Sequence, residues 1–448
     1  MKLVYGVKDK PTFGKLIIFA IQQLLSIMTA TLVVPVIIGN GMSPAAALFG
    51  AGIGTLVYLA FTQMKSPVFL GSSFAFLGSM AAAFAGGVSM SLGYLGLIIG
   101  AFFAGLVYVI IAIIVKFAGV NWLNKPMPAV VIGPTVAIIG MSLAGNAVGD
   151  LVKPTFETTS PYVSIICGLV TLFTVVLCST YGKKTLKLIP FIIGILAGYL
   201  TAVIFTVIGN IAGIDAIKVL NIEPFLNLTK EGVNLNTFIS VPDFTFLTAA
   251  KGIKELNPSY LSTIAVAYVP VAFVVFAEHI ADHKNISSII ESDLLKEPGL
   301  HRTLLGDGIG SVAGAIFGGC PNTTYGESVG CVAITKNASV VTIMTAALLA
   351  ILISFFAPFI AFVNTIPSCV MGGVCMALYG FIAVSGLKML QQVNLNQNKN
   401  LFVVSVILIA GIGGLTLTFG KVTITSIACA LILGIITNLV VSKAKDEE

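Results

Sequence analysis

The 448-residue sequence has few charged side chains, since aspartate, glutamate, lysine and arginine make up only 9% of it and 57% is hydrophobic. A soluble domain carries roughly 25% charged residues to wet its surface, so this composition excludes a soluble globular protein. The apolar runs last about 20 residues, enough for a helix to cross a bilayer. They do not alternate polar and apolar residues as the strands of an outer-membrane barrel do. The sequence therefore predicts an all-α membrane protein.

Metal, nucleotide and nucleic-acid sites lack their usual signatures. The seven cysteines lie almost entirely in apolar runs without a CxxC pair, which favours packing roles. His279 and His283 are four residues apart, but the glutamate precedes the first histidine instead of following it as in HExxH. The glycine-rich strings at 50–54 and 306–310 lack the strand and turn of a dinucleotide site and are typical of closely packed helices. We expect no metal, no cofactor, no nucleic-acid partner and no catalysis.

Fourteen apolar segments follow one another along the chain. With the N-terminus in the cytoplasm, all but six of the 24 lysine and arginine residues fall on the cytoplasmic side, as the positive-inside rule requires. An additional or missing helix would destroy this asymmetry, so both termini are predicted to be cytoplasmic. The segments are 16–39, 45–62, 67–86, 92–116, 128–148, 161–180, 187–210, 261–281, 303–320, 321–338, 340–363, 366–386, 401–419 and 422–442.

The third and tenth segments are short and interrupted by polar residues, proline or glycine, which fit poorly in a lipid-facing helix. They also resemble each other, since residues 72–75 (SSFA) and 323–326 (TTYG) both have two hydroxyls, an aromatic ring and a small residue. The strings at 128–133 and 367–372 give a second match at a similar spacing. Seven segments per half predict a 7+7 inverted repeat whose interrupted half-helices face a substrate cavity, as in secondary transporters. Short re-entrant or kinked packing helices are the alternative.

Four carboxylates fall within the apolar segments or directly at their ends, where no lysine or arginine lies at comparable depth: Glu278, Asp282, Asp307 and Glu327. A charge at the bilayer centre costs about 2.5 to 3.5 kcal/mol, so each is a functional candidate. Glu327 directly follows the interruption of the tenth segment, and Glu278 and Asp282 share one face of the eighth. Asp282, near the cytoplasmic end, is equally consistent with a wetted helix terminus. Asp307 opens the ninth segment and is better explained as a helix N-cap.

The chain closely resembles the nucleobase/ascorbate transporters, also called nucleobase:cation symporter-2, and among them most closely the bacterial uracil permeases. The strings that carry the resemblance are QQLLSIMTATLVVP near the N-terminus, LGSSFAF (70–76), FAEHIADH (276–283), DLLKEPGLHRTLLGDG (293–308), PNTTYGESVGCVAITK (321–336) and PSCVMGGVCMALYG (367–380).

This resemblance implies two domains that move against each other and a homodimer formed through the second of them. The first, a core domain, comprises residues 16–116 and 261–363. The second, a gate domain, comprises residues 128–210 and 366–442. Residues 211–260 are expected to form an extracytoplasmic loop.

The resemblance also implies that uracil binds between the two interrupted segments. Two glutamates would hydrogen-bond the ring, two backbone amides would face its carbonyl oxygens, and a tyrosine would approach from the gate domain. The chemistry agrees, because uracil has two N–H donors, two carbonyl acceptors and a flat face. The implied glutamates are Glu278 and Glu327, the amides those of Phe74 and Gly326, and the tyrosine Tyr379, with Ser73 and Tyr325 as further candidates at the interruptions.

Two positions depart from the pattern of the uracil permeases. Asp282 stands where they often carry histidine, with His283 next to it, which leaves the details of proton coupling open. Ser328 stands where asparagine is common. Purine-selective relatives tend to have glutamine in place of Glu327, so the glutamate favours a pyrimidine.

The implied function is uracil import by proton symport, with alternating access, in the cell (inner) membrane. Glu278 is expected to carry the proton, because a protonated carboxyl removes the charge that would otherwise cross lipid; Asp282 and Asp307 are the next candidates. Xanthine or thymine as substrate, sodium coupling and a passive nucleobase channel stay open. An anion transporter would want a fixed positive side chain between the half-helices, and a membrane enzyme would need a nucleophile or metal set beside Glu278 and His279; the sequence offers neither.

The lysine distribution generates a prediction about orientation. In a background cleared of native cysteines, a cysteine at Lys184 should be shielded from an impermeant thiol reagent in intact cells, whereas a cysteine at Lys230 should react. Labelling of both positions in lysed cells controls for their reactivity. The opposite pattern in intact cells would overturn the orientation.

Overall fold

The structure, a computed structural model, describes residues 3–119, 128–183, 185–230, 232–419 and 422–442. Among these residues, eight helices are long and apolar enough to cross a membrane, and four shorter apolar helices accompany them. The helical architecture expected from composition is confirmed, whereas the count of 14 segments stays a prediction. Some residues used in the lysine count lie outside the described ones: Lys2, Lys125, Lys184, Lys421, Lys443 and Lys445.

The helices of the first half are α1 (Phe13–Ile38), α2 (Pro44–Phe61), α3 (Leu77–Ala83), α4 (Met90–Ala118), α5 (Ala129–Ser142), α6 (Ala144–Val152), α7 (Pro161–Tyr181), α8 (Thr185–Leu188), α9 (Pro190–Ala212) and α10 (Glu223–Thr229). Those of the second half are α11 (Thr245–Gly252), α12 (Pro258–Ile290), α13 (Leu300–Gly318), α14 (Gly326–Thr335), α15 (Val340–Ser354), α16 (Ala357–Thr365), α17 (Ser368–Leu390), α18 (Asn398–Ile412) and α19 (Ser426–Val441). The strands are β1 (Leu70–Ser72), β2 (Asn322–Thr324), β3 (Leu417–Phe419) and β4 (Val422–Ile424).

Helix α12 is longer than the predicted eighth segment, and the difference corrects one interpretation. Asn257 caps its start by accepting a hydrogen bond from the Tyr260 amide at 2.9 Å, and Pro258 occupies the first helical position, where it needs no amide donor. The helix continues to Ile290. Asp282 therefore lies two turns inside the helix, and its interpretation as a wetted helix terminus is wrong.

The long helices pack mainly within two groups. In the first group, α13 packs against α2 and α4, α15 against α1 and α2, and α12 against α4. In the second group, α17 packs against α5, α6 and α7, α7 against α9, and α18 against α5 and α19. Each group contains helices from both halves of the chain, so neither half folds into a separate body.

Glycines let α2 and α13 approach closely at the centre of the first group. A Cβ atom on Gly54 would lie 2.7 Å from the Gly310 carbonyl oxygen, and one on Gly50 would meet the Gly314 carbonyl oxygen at 2.5 Å. The side chain of Asn322 fills the space beside this crossing and donates to the Gly50 carbonyl oxygen at 3.1 Å. These contacts confirm that the two glycine-rich strings serve helix packing.

The two interrupted segments contain short strands that the sequence interpretation missed. In each, a three-residue strand is followed by a short helix, and β1 pairs with β2 in antiparallel register, Gly71 opposite Thr323. Three residues are too few for the alternation of polar and apolar side chains that identifies a strand. The prediction of interrupted segments that meet each other is confirmed by this pairing.

Several predicted boundaries also differ from the structure. The loop at 211–260 contains the short helices α10 and α11. Predicted segment 128–148 consists of α5 and α6, and segment 340–363 of α15 and α16, each broken by one or two residues. Helix α18 ends at Ile412, and the following residues form the β3–β4 pair, so segment 401–419 is shorter than predicted.

The α2–α13 crossing generates a stability prediction. Gly54→Ala should lower the thermal unfolding temperature of the detergent-solubilised protein, because the added methyl group overlaps Gly310 and Asn322, and overpacking of this kind costs about 1 to 3 kcal/mol. Gly149→Ala is the matched control, since a Cβ there meets nothing within 4 Å on an exposed helical position. Equal unfolding temperatures for the two variants would contradict the prediction.

Candidate substrate-binding site

A cavity of about 520 Å³ lies where the paired interruptions face the second helix group. Its walls come from α12 and α14 on one side and from α5, α9 and α17 on the other. Most of the sequence-predicted site residues line it: Ser73, Phe74, Glu278, Asp282, Tyr325, Gly326 and Glu327. The structure thus brings together residues that are up to 254 positions apart in the sequence, from Ser73 to Glu327.

The strand pairing places the starts of two half-helices beside the cavity. The Ser73 amide extends the ladder by donating to the Pro321 carbonyl oxygen at 2.9 Å, and the helical turn Phe74–Phe76 begins directly after it. On the other strand, α14 begins at Gly326. The first amides of a helix have no partner within the helix and carry partial positive charge. Both half-helices therefore offer N–H donors to a ligand in the cavity.

Tyr325, one of the candidates at the interruptions, holds the ribbon formed by β1 and β2 and has little side-chain surface left for a ligand. Its hydroxyl donates to the Ser72 carbonyl oxygen at 2.6 Å. Its ring lies so close to Gly71 that a Cβ atom there would overlap it. The side chain is only 4% exposed, so its contact with the cavity is small.

Ser328 links the two interruptions through hydrogen bonds that the sequence did not indicate. Its hydroxyl oxygen accepts from the Phe69 amide at 3.0 Å, just before β1, and from the amide group of Gln23 on α1. The residue is fully buried. A helix that starts in the second half of the chain is thereby tied to a strand of the first half.

Carboxylates dominate the polar wall of the cavity. Glu278 and Asp282 reach it from α12, and Glu327 reaches it from the first turn of α14. Asp282 Oδ2 accepts a hydrogen bond from Thr324 Oγ1 at 2.9 Å, which holds β2 against α12. Lys187, at the exposed end of the cavity, is the one basic side chain among the described residues that line it.

Three hydroxyl groups on the cavity wall are free to bind a ligand. Ser73 Oγ, Thr323 Oγ1 and Ser179 Oγ are buried and have no hydrogen-bond partner among the described residues. Ser73 and Thr323 lie at the paired interruptions, whereas Ser179 lies on α7. A buried hydroxyl without a partner costs about 1 to 3 kcal/mol. A ligand that hydrogen-bonds them would recover part of that cost.

Tyr379 and Asp307 do not line the cavity. The Tyr379 ring lies edge-on to Phe74, with centroids 6.2 Å apart, so it supports Phe74 from the second helix group. Asp307 lies in the second turn of α13, fully buried and bonded to His279, and is not the N-cap, which is Gly299. The interpretation of Asp307 as a cap is therefore wrong, because α13 begins three residues earlier than the apolar run.

Residues 14–420 match the model of a family described as the Permease family. Over its whole length the chain is 37% identical to a uracil permease of Bacillus subtilis (strain 168), of which it covers 97%. It is 38% identical to a uracil permease of Bacillus caldolyticus over 98% of this chain and 95% of that protein. A uracil permease of Escherichia coli (strain K12) is 34% identical over 97% of this chain and 93% of its own length.

Solved structures of membrane transporters share the fold at low sequence identity. The transmembrane domain of the cyanobacterial bicarbonate transporter BicA superimposes with a TM-score of 0.64 at 12% identity, over 96% of this chain and 99% of that one. The murine anion transporter Slc26a9 in its inward-facing state gives 0.62 at 10% identity, over 97% and 69%. At these identities the likeness establishes the fold and leaves the substrate open.

Proposed function

We propose that this chain, which belongs to the Permease family and so to the nucleobase/ascorbate transporters that its motifs resemble, imports uracil by proton symport. It is a multi-pass membrane protein, and its relatives named uracil permease align over nearly its whole length. The observation that carries the proposal is the convergence of two glutamates and two half-helix starts on one cavity. We place the protein in the cell (inner) membrane.

Uracil matches the groups on the cavity wall. Its two ring N–H groups need acceptors, which Glu278 and Glu327 supply. Its two carbonyl oxygens need donors, which the amides at the starts of the half-helices, Phe74 and Gly326, supply together with the free hydroxyls described above. Phe74 offers an aromatic face for the flat ring. A pyrimidine therefore offers a partner to both glutamates and to both half-helix amides.

The cavity extends toward the face of the protein that the distribution of lysine residues predicts to be cytoplasmic. From the carboxylates it extends past Asn285 on α12 to Lys187 beside α9. With the predicted orientation, the protein is open to the cytoplasm in this conformation. Import then requires the second helix group, the predicted gate domain, to rock against the first, the predicted core domain, until the cavity opens outward.

Proton coupling follows from the charge of the cavity. An ionised carboxylate that moves through the bilayer core has the high free energy of a charge in lipid. A bound proton neutralises the carboxylate and removes this cost. One proton that enters down a potential of about 100 mV releases about 2.3 kcal/mol, enough to concentrate uracil roughly 50-fold. Glu278 is our candidate for the group that binds this proton, because it lines the cavity from the interior of α12 and forms no ion pair with a basic side chain among the described residues.

Rival functions make different predictions for one uptake assay. An anion would meet three carboxylates in the cavity and, among the described residues that line it, a single basic side chain, Lys187, which disfavours anion transport. Uptake of radiolabelled uracil into proteoliposomes should depend on an inward proton gradient, should stop on addition of a protonophore and should not require sodium. Sodium dependence would indicate a sodium symporter, and equilibration without accumulation would indicate a passive channel. Competition by thymine or xanthine would define the nucleobase range. The homodimer is not addressed by this assay and stays a prediction.

Glu327→Gln should weaken uracil binding by roughly 5- to 150-fold without unfolding the protein. The amide places a donor where the ring N–H needs an acceptor, and such a mismatch of buried groups costs about 1 to 3 kcal/mol. Uracil affinity of the purified variant, measured by calorimetry, tests this. The exposed Glu255→Gln is the control and should bind as the wild type does. Undiminished affinity of the Glu327 variant would remove Glu327 from the site.

Glu278→Gln should abolish proton-driven accumulation of uracil, because glutamine mimics the protonated glutamate permanently. Exchange of labelled for unlabelled uracil across the membrane, which needs no net proton movement, should be less impaired than accumulation. Any binding that remains should depend less on pH than in the wild type. If the variant still concentrates uracil and loses the gradient with a protonophore, Glu278 is not the coupling group.

A further inference from the structure

A buried histidine and a buried aspartate meet behind the cavity, between α12 and α13. His279 Nδ1 lies 2.7 Å from Asp307 Oδ2, and His279 Nε2 lies 3.0 Å from Thr303 Oγ1. All three side chains are fully buried, and none of them lines the cavity. The proposed uracil site makes no direct use of them.

The Thr303 hydroxyl gives this cluster two complete hydrogen-bond arrangements with the same atomic positions. In the first, Thr303 donates to the Leu300 carbonyl oxygen, 3.1 Å away, and accepts from His279 Nε2–H, while another proton lies between Nδ1 and Oδ2. In the second, Thr303 donates to Nε2, and Nδ1–H donates to the Asp307 carboxylate. The first arrangement holds one proton more than the second. The cluster can therefore gain or lose a proton without moving its heavy atoms.

The second oxygen of Asp307 favours the arrangement with the additional proton. Oδ1 is buried and has no hydrogen-bond partner among the described residues. His279 is the one ion-pair partner that the described residues give Asp307. An ionised carboxylate whose second oxygen is buried without a hydrogen-bond donor has a much higher free energy than a neutral carboxyl group in the same place. The contacts of Asp307 in this conformation therefore favour the arrangement with the additional proton.

The groups that face the cluster make an added proton favourable. Each is acidic or neutral, so a proton bound here reduces repulsion among carboxylates. Those with an electrostatic interaction with Asp307 are Glu278 and Asp282 on α12, Tyr58 on α2 and Tyr108 on α4, and Glu327 on α14 interacts with Glu278.

His283 does not share this property, although its ring stacks on that of His279 with centroids 3.9 Å apart. Its Nδ1–H donates to the His279 carbonyl oxygen at 2.7 Å, and its Nε2 accepts from the Tyr58 hydroxyl at 2.6 Å. Both nitrogens are thus satisfied by a neutral ring. Neither nitrogen of His283 lies against a carboxylate among the described residues, whereas His279 lies against Asp307, so we assign proton storage to His279 and its partners.

We propose that His279, Asp307 and Thr303 form a proton-storage site that is loaded and emptied during transport, in series with Glu278. The inference rests on the proposed function and extends it from one proton-binding group to two. Glu278 lines the cavity and interacts electrostatically with Asp307, so we assign it as the group through which a proton passes between the cavity and the cluster. A proton stored behind the wall does not compete with uracil for the glutamates.

Asp307→Asn, in the full-length protein in proteoliposomes, tests the storage site. Asparagine has the size of aspartate and can still hydrogen-bond His279 Nδ1, but it does not titrate. Uracil affinity should stay within about 3-fold of the wild type, while accumulation driven by a proton gradient should fall at least 10-fold. Accumulation with wild-type extent and pH dependence would overturn the proposal. The exposed Asp215→Asn, which loses only a surface ion pair with Lys218, should transport normally.

Two substitutions of Thr303 separate proton storage from packing. Thr303→Val keeps the shape but removes two hydrogen bonds from the arrangement with the additional proton, those with Nε2–H and with the Leu300 carbonyl oxygen, and only one from the other arrangement. Half-maximal uptake should therefore move to lower pH by roughly 0.4 to 1 unit, the equivalent of one hydrogen bond. Thr303→Ser keeps the hydroxyl and should retain the wild-type pH profile. If the serine variant is the more disturbed of the two, Thr303 serves packing and the proposal fails.

A measurement without uracil keeps this inference distinct from the proposed function. Infrared difference spectra of the purified protein between acidic and alkaline pH should contain a protonated-carboxyl band that Asp307→Asn lacks. If the wild type carries that band but neither binds nor accumulates uracil, the proposed substrate is wrong and the storage site stands. If the spectra of wild type and variant coincide, the storage site is wrong even when uracil transport is confirmed.

Discussion

The need to satisfy backbone hydrogen bonds inside a membrane governs this structure. An interrupted helix exposes N–H and C=O groups that lipid cannot bind. Here β1 and β2 pair with each other, Ser73 donates to Pro321, and Ser328 accepts from Phe69. Each interruption therefore supplies the partners of the other, and neither can form alone. The cavity and its two half-helix starts exist because the two halves of the chain meet at this ribbon.

Close packing around the ribbon leaves little freedom to the side chains beside it. Gly71 must lack a side chain because the Tyr325 ring covers it, and Asn322 fills the space left by the glycines of α2 and α13. Close packing of this kind restricts the positions that the amides and carboxylates beside the cavity can take. The polar site thus depends on close packing at the glycine-rich crossing of α2 and α13.

The sequence predicted the parts of the site whose chemistry contrasts with an apolar background. Glu278 and Glu327 could be identified from the sequence because a carboxylate in an apolar segment is energetically costly and therefore indicates a function. Both line the cavity. The strand pairing was not predictable, because three residues carry too little pattern. Asp307 was misassigned because polar residues at the start of α13 hid its first turn, and the contact of His279 with Asp307 depends on how α12 packs, which no local pattern records.

Charge explains how one fold can serve substrates of different chemistry. Two helix N-termini that face one cavity would by themselves attract an anion. In this chain Glu278, Asp282 and Glu327 lie in the same cavity and oppose that attraction, so the site suits a neutral ligand that offers N–H donors to carboxylates and carbonyl oxygens to amides. Under the proposed function, the same carboxylates are neutralised before the cavity changes sides. The proposed substrate class and the proposed proton coupling then both follow from the side chains on α12 and α14.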